Sequence, residues 1–423
     1  MEVIAPSSTT ASDRAVVAPA TAPRARARRA ADAVLVALFL VGLCAPLIGV
    51  QIGKHSWDIA SRADKRKSPA PLLLQLDEAH VISNRDKLKA VAKFPGDFKY
   101  YLSDHFGFRN MLIRLHGTLM VNALGVTSNP AVVLGKDGWL FLANEGSLDD
   151  YRHTDPMTPQ QLEAWRRMLE PRQRWCAGHG IPYLVVFAPS KHTIYPEEMP
   201  DTITRVPGPS RLEQLTQYLK DKHSPVQVVD LTAPLMAAKR EGVRLYQKTD
   251  THWNDRGAWV GYQALMGAVR KQVPGARVLS ADEFEPVTRI RPGMDLAGLL
   301  GLNDQFREES LDLKPRIPLR LPYVEQDVIE PFTVDASALG QPGAVVFRDS
   351  FFTQVLPWLA ESFGRGAYFW QYGFNPSIIE SEHPAIVIQE FAERKLALPV
   401  SEMEKDRLNV QLVSGKWELI PMK

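Results

Sequence analysis

The sequence predicts an α/β fold whose mostly parallel sheet is covered by helices on both faces. Apolar segments of four to six residues alternate with segments of helical periodicity from about residue 95 to the end of the chain. The strand segments are apolar throughout, which is typical of strands buried on both faces of a parallel sheet. Hydrophobic residues make up 45% of the chain and charged residues 23%, proportions that suit a globular domain and exclude a disordered chain.

The first part of the chain predicts a tail and a membrane anchor. Residues 1–30 are rich in Ala, Pro, Ser and Thr, which predicts a disordered tail. Residues 33–52 carry no charge, and twenty helical residues cross about 30 Å of hydrocarbon, so we predict one transmembrane helix over 31–53. A buried core helix rarely has no polar face over this length, and a cleaved signal peptide has a shorter apolar region. The arginines just before the run favour a cytoplasmic N-terminus, and residues 54–94 are the linker and lead-in.

The domain predicted over residues 95–423 shows its elements in order. Asp137-Gly138 between apolar residues predicts a hairpin. Thr158-Pro159 followed by Gln161 predicts a helix start, and Ser210 with Glu213 forms a second capping box. A further helix is predicted over 353–363. The predicted strands cover residues 183–188, 226–231, 344–347, 367–370 and 385–388.

Charge and cysteine content exclude two classes of protein. Fifty basic residues against 48 acidic ones leave a net charge of +2, so the sequence does not predict a nucleic-acid-binding surface. The two cysteines are Cys44, inside the apolar run, and Cys176, in a predicted helix. They predict neither a disulfide framework nor a thiolate metal site.

The most informative loop precedes Trp253. In parallel sheets the chemistry lies at the carboxyl ends of the strands, and this loop places Asp250 two residues before His252. In an extended segment such residues share a face, so the carboxylate can fix the imidazole tautomer and stabilise the imidazolium. The alternative is that Asp250 caps a helix near Asn254 while His252 packs on Trp253. No second His or Cys lies at ligand spacing, so we predict no metal.

Two further loops supply a nucleophile and polar groups. Ser350 follows a buried strand, where it projects from the top of the sheet beside the free N–H groups of the next helix. Alternatively, Ser350 is only an N-cap. The loop that begins at Pro189 brings Lys191 and Tyr195, which either line a cleft or pack under a turn. His192 in that loop is a rival base, but no carboxylate neighbours it in sequence.

Six sequence blocks together resemble the alginate O-acetyltransferase family of SGNH-hydrolase-like proteins, the AlgJ/AlgX type. They keep the order that the family shows, and they span about residues 95 to 395. The blocks are Asp-His-Phe-Gly-Phe-Arg at 104–109, Gly-Lys-Asp-Gly-Trp-Leu-Phe at 135–141, Pro-Ser-Lys-His-Thr-Ile-Tyr-Pro at 189–196, Thr-Asp-Thr-His-Trp-Asn at 249–254, Asp-Leu-Ala at 295–297 and Phe-Arg-Asp-Ser-Phe at 347–351.

The resemblance implies an SGNH-hydrolase-like fold, a catalytic triad and no cofactor. By this likeness Asp250, His252 and Ser350 are the triad, in the permuted order in which Asp-x-His precedes the serine. The family's nucleophile motif reads Gly-Asp-Ser, whereas Arg348 stands in the glycine position here, where it narrows the site or contacts an anionic substrate. The candidate substrate-binding residues are Tyr195, Lys191, Trp253 and Arg348.

The resemblance also implies a location and partners. It implies a periplasmic catalytic domain that the segment 31–53 tethers to the inner membrane, a polysaccharide acceptor, and a multi-spanning membrane-bound O-acyltransferase that supplies acetyl groups. Only 73 residues follow Ser350, which favours likeness to the single-domain, membrane-anchored members. Two alternatives remain open from the residues: an acetylesterase that uses the same triad, and a non-catalytic scaffold of a polysaccharide-modification complex.

Overall fold

The computed structural model describes residues 30–41, 44, 92, 95, 109–321 and 329–420 of the chain. Residues 30–41 are helical and exposed. None of the described helices combines the length and the apolar character that a membrane crossing needs. Residues 42, 43 and 45–53 of the anchor predicted over 31–53, the tail before residue 30 and nearly all of the linker lie outside the described residues. The chain divides into two compact units after Leu112, and the second unit contains the sheet.

The described strands and helices alternate as the sequence predicts. The strands are β1 (Val132–Leu134), β2 (Leu140–Leu142), β3 (Tyr183–Ala188), β4 (Gln227–Asp230), β5 (Phe284–Pro292), β6 (Arg307–Pro315), β7 (Phe332–Asp335), β8 (Ala344–Arg348), β9 (Arg365–Trp370), β10 (Ile386–Ala392), β11 (Val410–Val413) and β12 (Lys416–Leu419). The helices are α1 (Arg109–Thr118), α2 (Ser147–Arg152), α3 (Pro159–Gly178), α4 (Lys191–Ile194), α5 (Arg211–Asp221), α6 (Thr232–Arg240), α7 (Asp255–Gln272), α8 (Asp295–Leu299), α9 (Leu356–Ser362), α10 (Pro376–Glu382) and α11 (Val400–Lys405).

The main sheet has six strands in the order β4-β3-β10-β8-β9-β7. All neighbours in it are parallel except β7, which pairs with β9 in the antiparallel sense at one edge. The mostly parallel sheet of the prediction is therefore confirmed. Strands β3, β10 and β8 are neighbours and run parallel. The loops that follow them therefore meet at the same end of the sheet.

Both faces of this sheet are buried. Along β3, Leu184 and Val186 belong to one apolar core, whereas Val185 and Phe187 belong to another. Successive side chains of a strand point to opposite faces, so the two cores lie on opposite sides of the sheet. The continuous apolar run at 183–188 is thus explained by burial on both faces, as the sequence predicts.

The turn and capping signals also have the predicted structures. Thr158 accepts a hydrogen bond from the Gln161 N–H at 3.2 Å, while the Gln161 side chain accepts from the Thr158 N–H at 2.7 Å. Ser210 and Glu213 make the equivalent pair at the start of α5. Strands β1 and β2 form the hairpin expected around Asp137, whose φ of 47° places it in the left-handed region.

Two features differ from the prediction. The helix predicted over 353–363 begins as a 3₁₀ turn, Ser350–Gln354, and continues as α9 after Val355, because Pro357 fits the first turn of an α-helix. The β5–β6 hairpin was not predicted. Its two nine-residue strands pair over their whole length. The sequence did not predict them because Arg and Glu side chains interrupt the apolar alternation that marks a strand.

Candidate active site

Three side chains form a continuous hydrogen-bonded line at the carboxyl edge of the sheet. Asp250 Oδ1 lies 2.7 Å from His252 Nδ1, and His252 Nε2 lies 2.7 Å from Ser350 Oγ. Asp250 is 1% exposed and His252 is 8% exposed, while Ser350 is half-buried. The line therefore runs from the interior towards solvent and ends on the hydroxyl of Ser350, the least buried of the three residues.

The segment that carries Asp250 and His252 is a narrow turn closed by an antiparallel bridge between Tyr246 and Trp253. Asp250 Oδ1 also accepts the His252 backbone N–H at 2.9 Å, which fixes the carboxylate under the ring. Asn254, not Asp250, caps helix α7 by accepting the Gly257 N–H at 3.0 Å. The alternative in which Asp250 serves as the helix cap is therefore wrong.

A glycine makes this close approach possible. A Cβ at Gly257 would lie 2.2 Å from the carbonyl oxygen of Leu245, so any larger residue would push α7 away from the turn. Helix α7 in turn fixes where the turn ends. The position of His252 thus depends on backbone contacts that the local sequence pattern does not reveal.

The pKa of Asp250 is set by opposing effects. Burial alone would raise it, but the hydrogen bonds from His252, the charge of that ring and the charge of Lys191 together hold the pKa below its usual value. An ionised carboxylate at Nδ1 keeps the proton on that nitrogen, so Nε2 is free to accept the proton of Ser350. The electrostatics thus favour the tautomer that a general base needs.

The nucleophile turn is held by the residue before Ser350. Asp349 Oδ1 accepts the N–H of Phe351 at 2.9 Å, and Oδ2 accepts the Tyr372 hydroxyl at 2.8 Å and the Ala392 N–H at 2.9 Å. Although burial opposes it, these bonds and the charge of Arg394 lower the pKa of Asp349. The carboxylate therefore joins the ends of β8, β9 and β10 beneath Ser350.

A second acid, Glu390, faces the same turn. Its Oε2 accepts the Asp349 N–H at 2.8 Å. Burial and the nearby Asp349 carboxylate raise the pKa of Glu390 well above its usual value, because two buried like charges at this distance repel each other. Burial and the charge of Asp349 thus both oppose ionisation of Glu390, whereas the hydrogen bonds of Asp349 favour its ionised form.

The available oxyanion donors differ from the expectation. The N–H of Phe351 is occupied by Asp349, so the first turn after the nucleophile does not offer all of its N–H groups. In the part of the chain that the structure describes, the N–H of Ser350 has no hydrogen-bond partner. This amide is the donor in the predicted place.

Arg348 lies beneath the nucleophile turn and does not reach the cleft. The side chain is buried, its guanidinium lies 4.4 Å from the centroid of the Trp370 ring, and Nη1 donates to Thr353 Oγ1 at 2.9 Å. Burial lowers its pKa to about 10. The placement argues against the predicted substrate contact, because strand β8 ends with this side chain turned into the body of the domain.

The other three substrate-binding candidates are also interior residues. Trp253 is fully buried and donates its ring N–H to the carbonyl oxygen of Phe351 at 2.9 Å. Tyr195 is 6% exposed, and its hydroxyl accepts the Leu245 N–H at 2.8 Å. Lys191 is 3% exposed. All three therefore pack against the segment that carries Asp250 and His252 or against its flanks, and none offers a free face to a sugar ring.

His192 has no contact with the nucleophile. It is 3% exposed, its ring packs edge-on against Tyr151 at 5.9 Å, and burial lowers its pKa to about 3. It lines a small cavity of about 10 Å³ beside Ser147 and Thr251, with room for about one water molecule. His252, not His192, is the imidazole in contact with Ser350.

Two acids that the sequence did not single out individually hold the turn from outside. Glu308 in β6 accepts the N–H groups of Lys248 and Thr249 at 2.7 and 3.1 Å. Asp295, the first residue of α8, accepts the N–H of Thr251 at 2.8 Å and also its hydroxyl. The only sequence signal was the position of Asp295 in one of the family blocks, and Glu308 gave none.

One cluster has the composition of a cation site. Ligand atoms of Asp250, His252 and Asp295 lie within 4.8 Å of one another. However, His252 Nδ1 is bonded to Asp250 and Nε2 to Ser350. A cation could use this ring only if the hydrogen-bonded line were broken, so the donor set fits proton transfer better than metal binding.

The α/β fold resembles that of SGNH-hydrolase-like proteins. Residues 132–321 match the family described as "SGNH hydrolase-like domain, acetyltransferase AlgX". This match and the relatives described next support an AlgJ/AlgX-type, SGNH-like family for this part of the chain.

Named relatives agree with this assignment. The chain is 29% identical over 147 residues to "Probable alginate O-acetylase AlgJ" of Pseudomonas syringae pv. tomato, a match that covers 34% of this chain and 35% of the relative. It is 30% identical over 206 residues to the protein of the same name from Pseudomonas aeruginosa, covering 46% and 49%. The chain thus spans half or less of these relatives' lengths.

A solved structure, the O-acetyltransferase domain of Pseudomonas putida AlgJ, aligns with a TM-score of 0.40 at 21% identity. The alignment covers 63% of this chain and 92% of that one.

Proposed function

We propose that this protein is an O-acetyltransferase that acts on an exported or cell-surface polysaccharide through an acetyl-serine intermediate. The observation that carries the proposal is the line Asp250–His252–Ser350, with 2.7 Å at each of its two side-chain contacts. These distances lie within the range in which a general base takes a proton from a nucleophile. The names of the relatives point to polysaccharide O-acetylation.

The first half-reaction acetylates the serine. Ser350 Oγ attacks the carbonyl carbon of an acetyl donor while His252 Nε2 takes the hydroxyl proton, and the carbonyl electron pair moves onto oxygen. In this proposal the Ser350 N–H donates to the oxyanion, and Asp250 stabilises the imidazolium. When the intermediate collapses, the bond to the leaving group breaks and His252 returns its proton to that group.

The second half-reaction transfers the acetyl group to the polymer. A sugar hydroxyl loses its proton to His252 and attacks the acetyl-serine, and the proton then returns to Ser350 as the ester bond breaks. If water attacks in place of the sugar, the same residues give an acetylesterase. Transfer and hydrolysis therefore differ only in which hydroxyl reaches the acetyl-serine first.

We extend the proposal to location and partners. The uncharged run at 33–52 supports a single-pass anchor that places the domain on the periplasmic side of the inner membrane. A domain there has no direct access to cytoplasmic acetyl donors, which supports a multi-spanning membrane-bound O-acyltransferase as the source of acetyl groups.

The test compares the purified full-length chain with Ser350→Ala, using an activated acetyl ester and candidate oligosaccharides. We expect acetylated sugar from the wild type and a loss on the order of 10⁴-fold in the variant, roughly 5 kcal/mol of transition-state stabilisation. Ser381→Ala is the matched control, because Ser381 is exposed and its hydroxyl donates to the Ser377 carbonyl oxygen within α10. Acetate as the only product with every acceptor would identify an esterase, and an unaffected Ser350→Ala protein would leave the scaffold role.

A further inference from the structure

A buried ammonium group lies behind the triad. Lys191, the first residue of α4 after strand β3, donates to three backbone carbonyl oxygens: Gln247 at 3.1 Å, Lys248 at 3.0 Å and Asp250 at 2.6 Å. An ammonium has three N–H donors, and each finds one acceptor here. One of the three acceptors belongs to the triad aspartate itself.

The surroundings of this ammonium leave no room for a ligand. Lys191 is 3% exposed, and its Nζ lies 5.6 and 5.1 Å from the ring centroids of Trp139 and Phe141. A charge buried among aromatic rings is costly unless its hydrogen bonds are satisfied. The full set of carbonyl partners meets that condition, so the contacts of Lys191 point to the turn and not to a substrate.

We propose that Lys191 is a positioning residue of the triad, whose three N–H groups hold the backbone at residues 247–250 so that Asp250 stays aligned with His252. This inference rests on the proposed function of the triad. Lys191 touches no reacting atom, so it acts only through Asp250. A misplacement of a catalytic group by about 1 Å can cost on the order of 10²-fold in rate, so the effect on turnover is large.

The proposal predicts an alkaline limit to activity. Burial, with a smaller contribution from the charge of Arg244, lowers the pKa of Lys191 to about 8. The negative charges of Asp295, Asp250 and Glu308 act in the opposite direction and raise it. A neutral amine has only two N–H donors for three carbonyl oxygens. As pH rises through about 8, the turn therefore loses one hydrogen bond and Asp250 loses a neighbouring positive charge, so activity falls.

The test uses Lys191→Met and Lys191→Arg in the full-length chain, with Lys136→Met as the matched control. Lys136 is an exposed lysine whose partner is the exposed Asp201, 2.7 Å away. The first readout is the pH profile of acylation of Ser350 by an activated acetyl ester, which requires the triad but no sugar acceptor. The second is the far-downfield proton resonance of the Asp250–His252 hydrogen bond, which requires no catalysis.

We expect Lys191→Met to lose about 10²-fold in acylation rate and to lose the downfield resonance, while its melting curve still shows a folded domain. Lys191→Arg keeps a charge that does not titrate, so it retains the resonance and moves the alkaline limit above pH 8. A Lys191→Met protein with the wild-type rate or resonance would overturn the proposal, because Glu308 and Asp295 would then hold the turn without Lys191. If the wild-type protein shows the resonance but Ser350 is not acylated, only the proposed function is refuted. The role of Lys191 is then decided by whether Lys191→Met loses the resonance.

Discussion

Asp349 offers a sharp test of how the nucleophile turn is held. Its carboxylate accepts three hydrogen bonds, two of them from backbone N–H groups, at 2.8 to 2.9 Å. Asp349→Asn has nearly the same shape, but its amide nitrogen cannot accept a hydrogen bond. Whichever way the amide turns, either the Phe351 or the Ala392 N–H is left facing a donor, whereas the Tyr372 hydroxyl can rotate to accept.

The expected cost follows from these contacts. A buried N–H without an acceptor costs about 1–3 kcal/mol, and the remaining bonds lose their charge assistance at up to about 1 kcal/mol each. Relief of the repulsion between Asp349 and Glu390 offsets part of this. We therefore expect Asp349→Asn to lower the free energy of unfolding by about 2–3 kcal/mol and to slow acylation of Ser350, because the serine is the next residue.

Urea unfolding followed by fluorescence measures this loss, with Asp335→Asn as the matched control. Asp335 also accepts an N–H two residues ahead, at 3.0 Å from Ser337, but its side chain is about half exposed; we expect less than about 1 kcal/mol there. The pKa of Asp349 is lowered in the folded state, so its contribution is complete above about pH 4 and is lost as pH falls below that. Surface substitutions usually change the free energy of unfolding by less than about 0.5 kcal/mol. An Asp349→Asn protein whose free energy of unfolding at pH 7 lies within about that amount of the wild-type value would refute the reasoning.

Two further variants test other buried charges. Glu393 accepts the Ser190 N–H and the Thr193 hydroxyl through Oε2, and burial with the charge of Asp150 raises its pKa to about 8. Between about pH 4.5 and pH 8 the folded state therefore keeps a proton that the unfolded state has released. The free energy of unfolding falls as pH rises through this range. Glu393→Gln should reduce this loss of unfolding free energy by about 2–4 kcal/mol. We would be contradicted if the urea midpoint changed by the same amount between pH 5 and pH 8 in both proteins. Arg348→Met should cost about 2 kcal/mol of stability through the lost hydrogen bonds and ring contact but leave KM for the acceptor unchanged; a raised KM in steady-state kinetics would return Arg348 to the substrate site.

The sheet and the contact between Asp250 and His252 were predictable from the sequence because their signals are local. The run at 183–188 is apolar at every position, and the caps at Thr158 and Ser210 use side chains within three residues of each other. Asp250 and His252 are two residues apart, so their contact follows from strand geometry. The pairing of His252 with Ser350 spans 98 residues. It was proposed from the place of both residues in loops at the carboxyl ends of strands, and the resemblance to a known family implied the same pairing.

The supporting residues were not predictable because their partners are distant in sequence. Glu308 holds a turn 59 residues before it, and Lys191 reaches the carbonyl oxygen of Asp250 across the same number of residues. Their side chains also belong to types that are mostly exposed, so a polar loop and a buried network look alike in sequence. The substrate role predicted for Lys191 rested on its place in a polar loop after a strand, and that for Arg348 on its charge and its place beside Ser350. Burial argues against both.

The position of β10 has a consequence for biogenesis. This strand lies between β3 and β8, yet it is the last of the six to be synthesised. Until residue 392 is available, β3 and β8 each present an open edge to solvent, and such edges invite pairing with other chains. The nascent protein must therefore remain unassembled over most of its length, and we expect any truncation before β10 to yield aggregates and not a weakened enzyme.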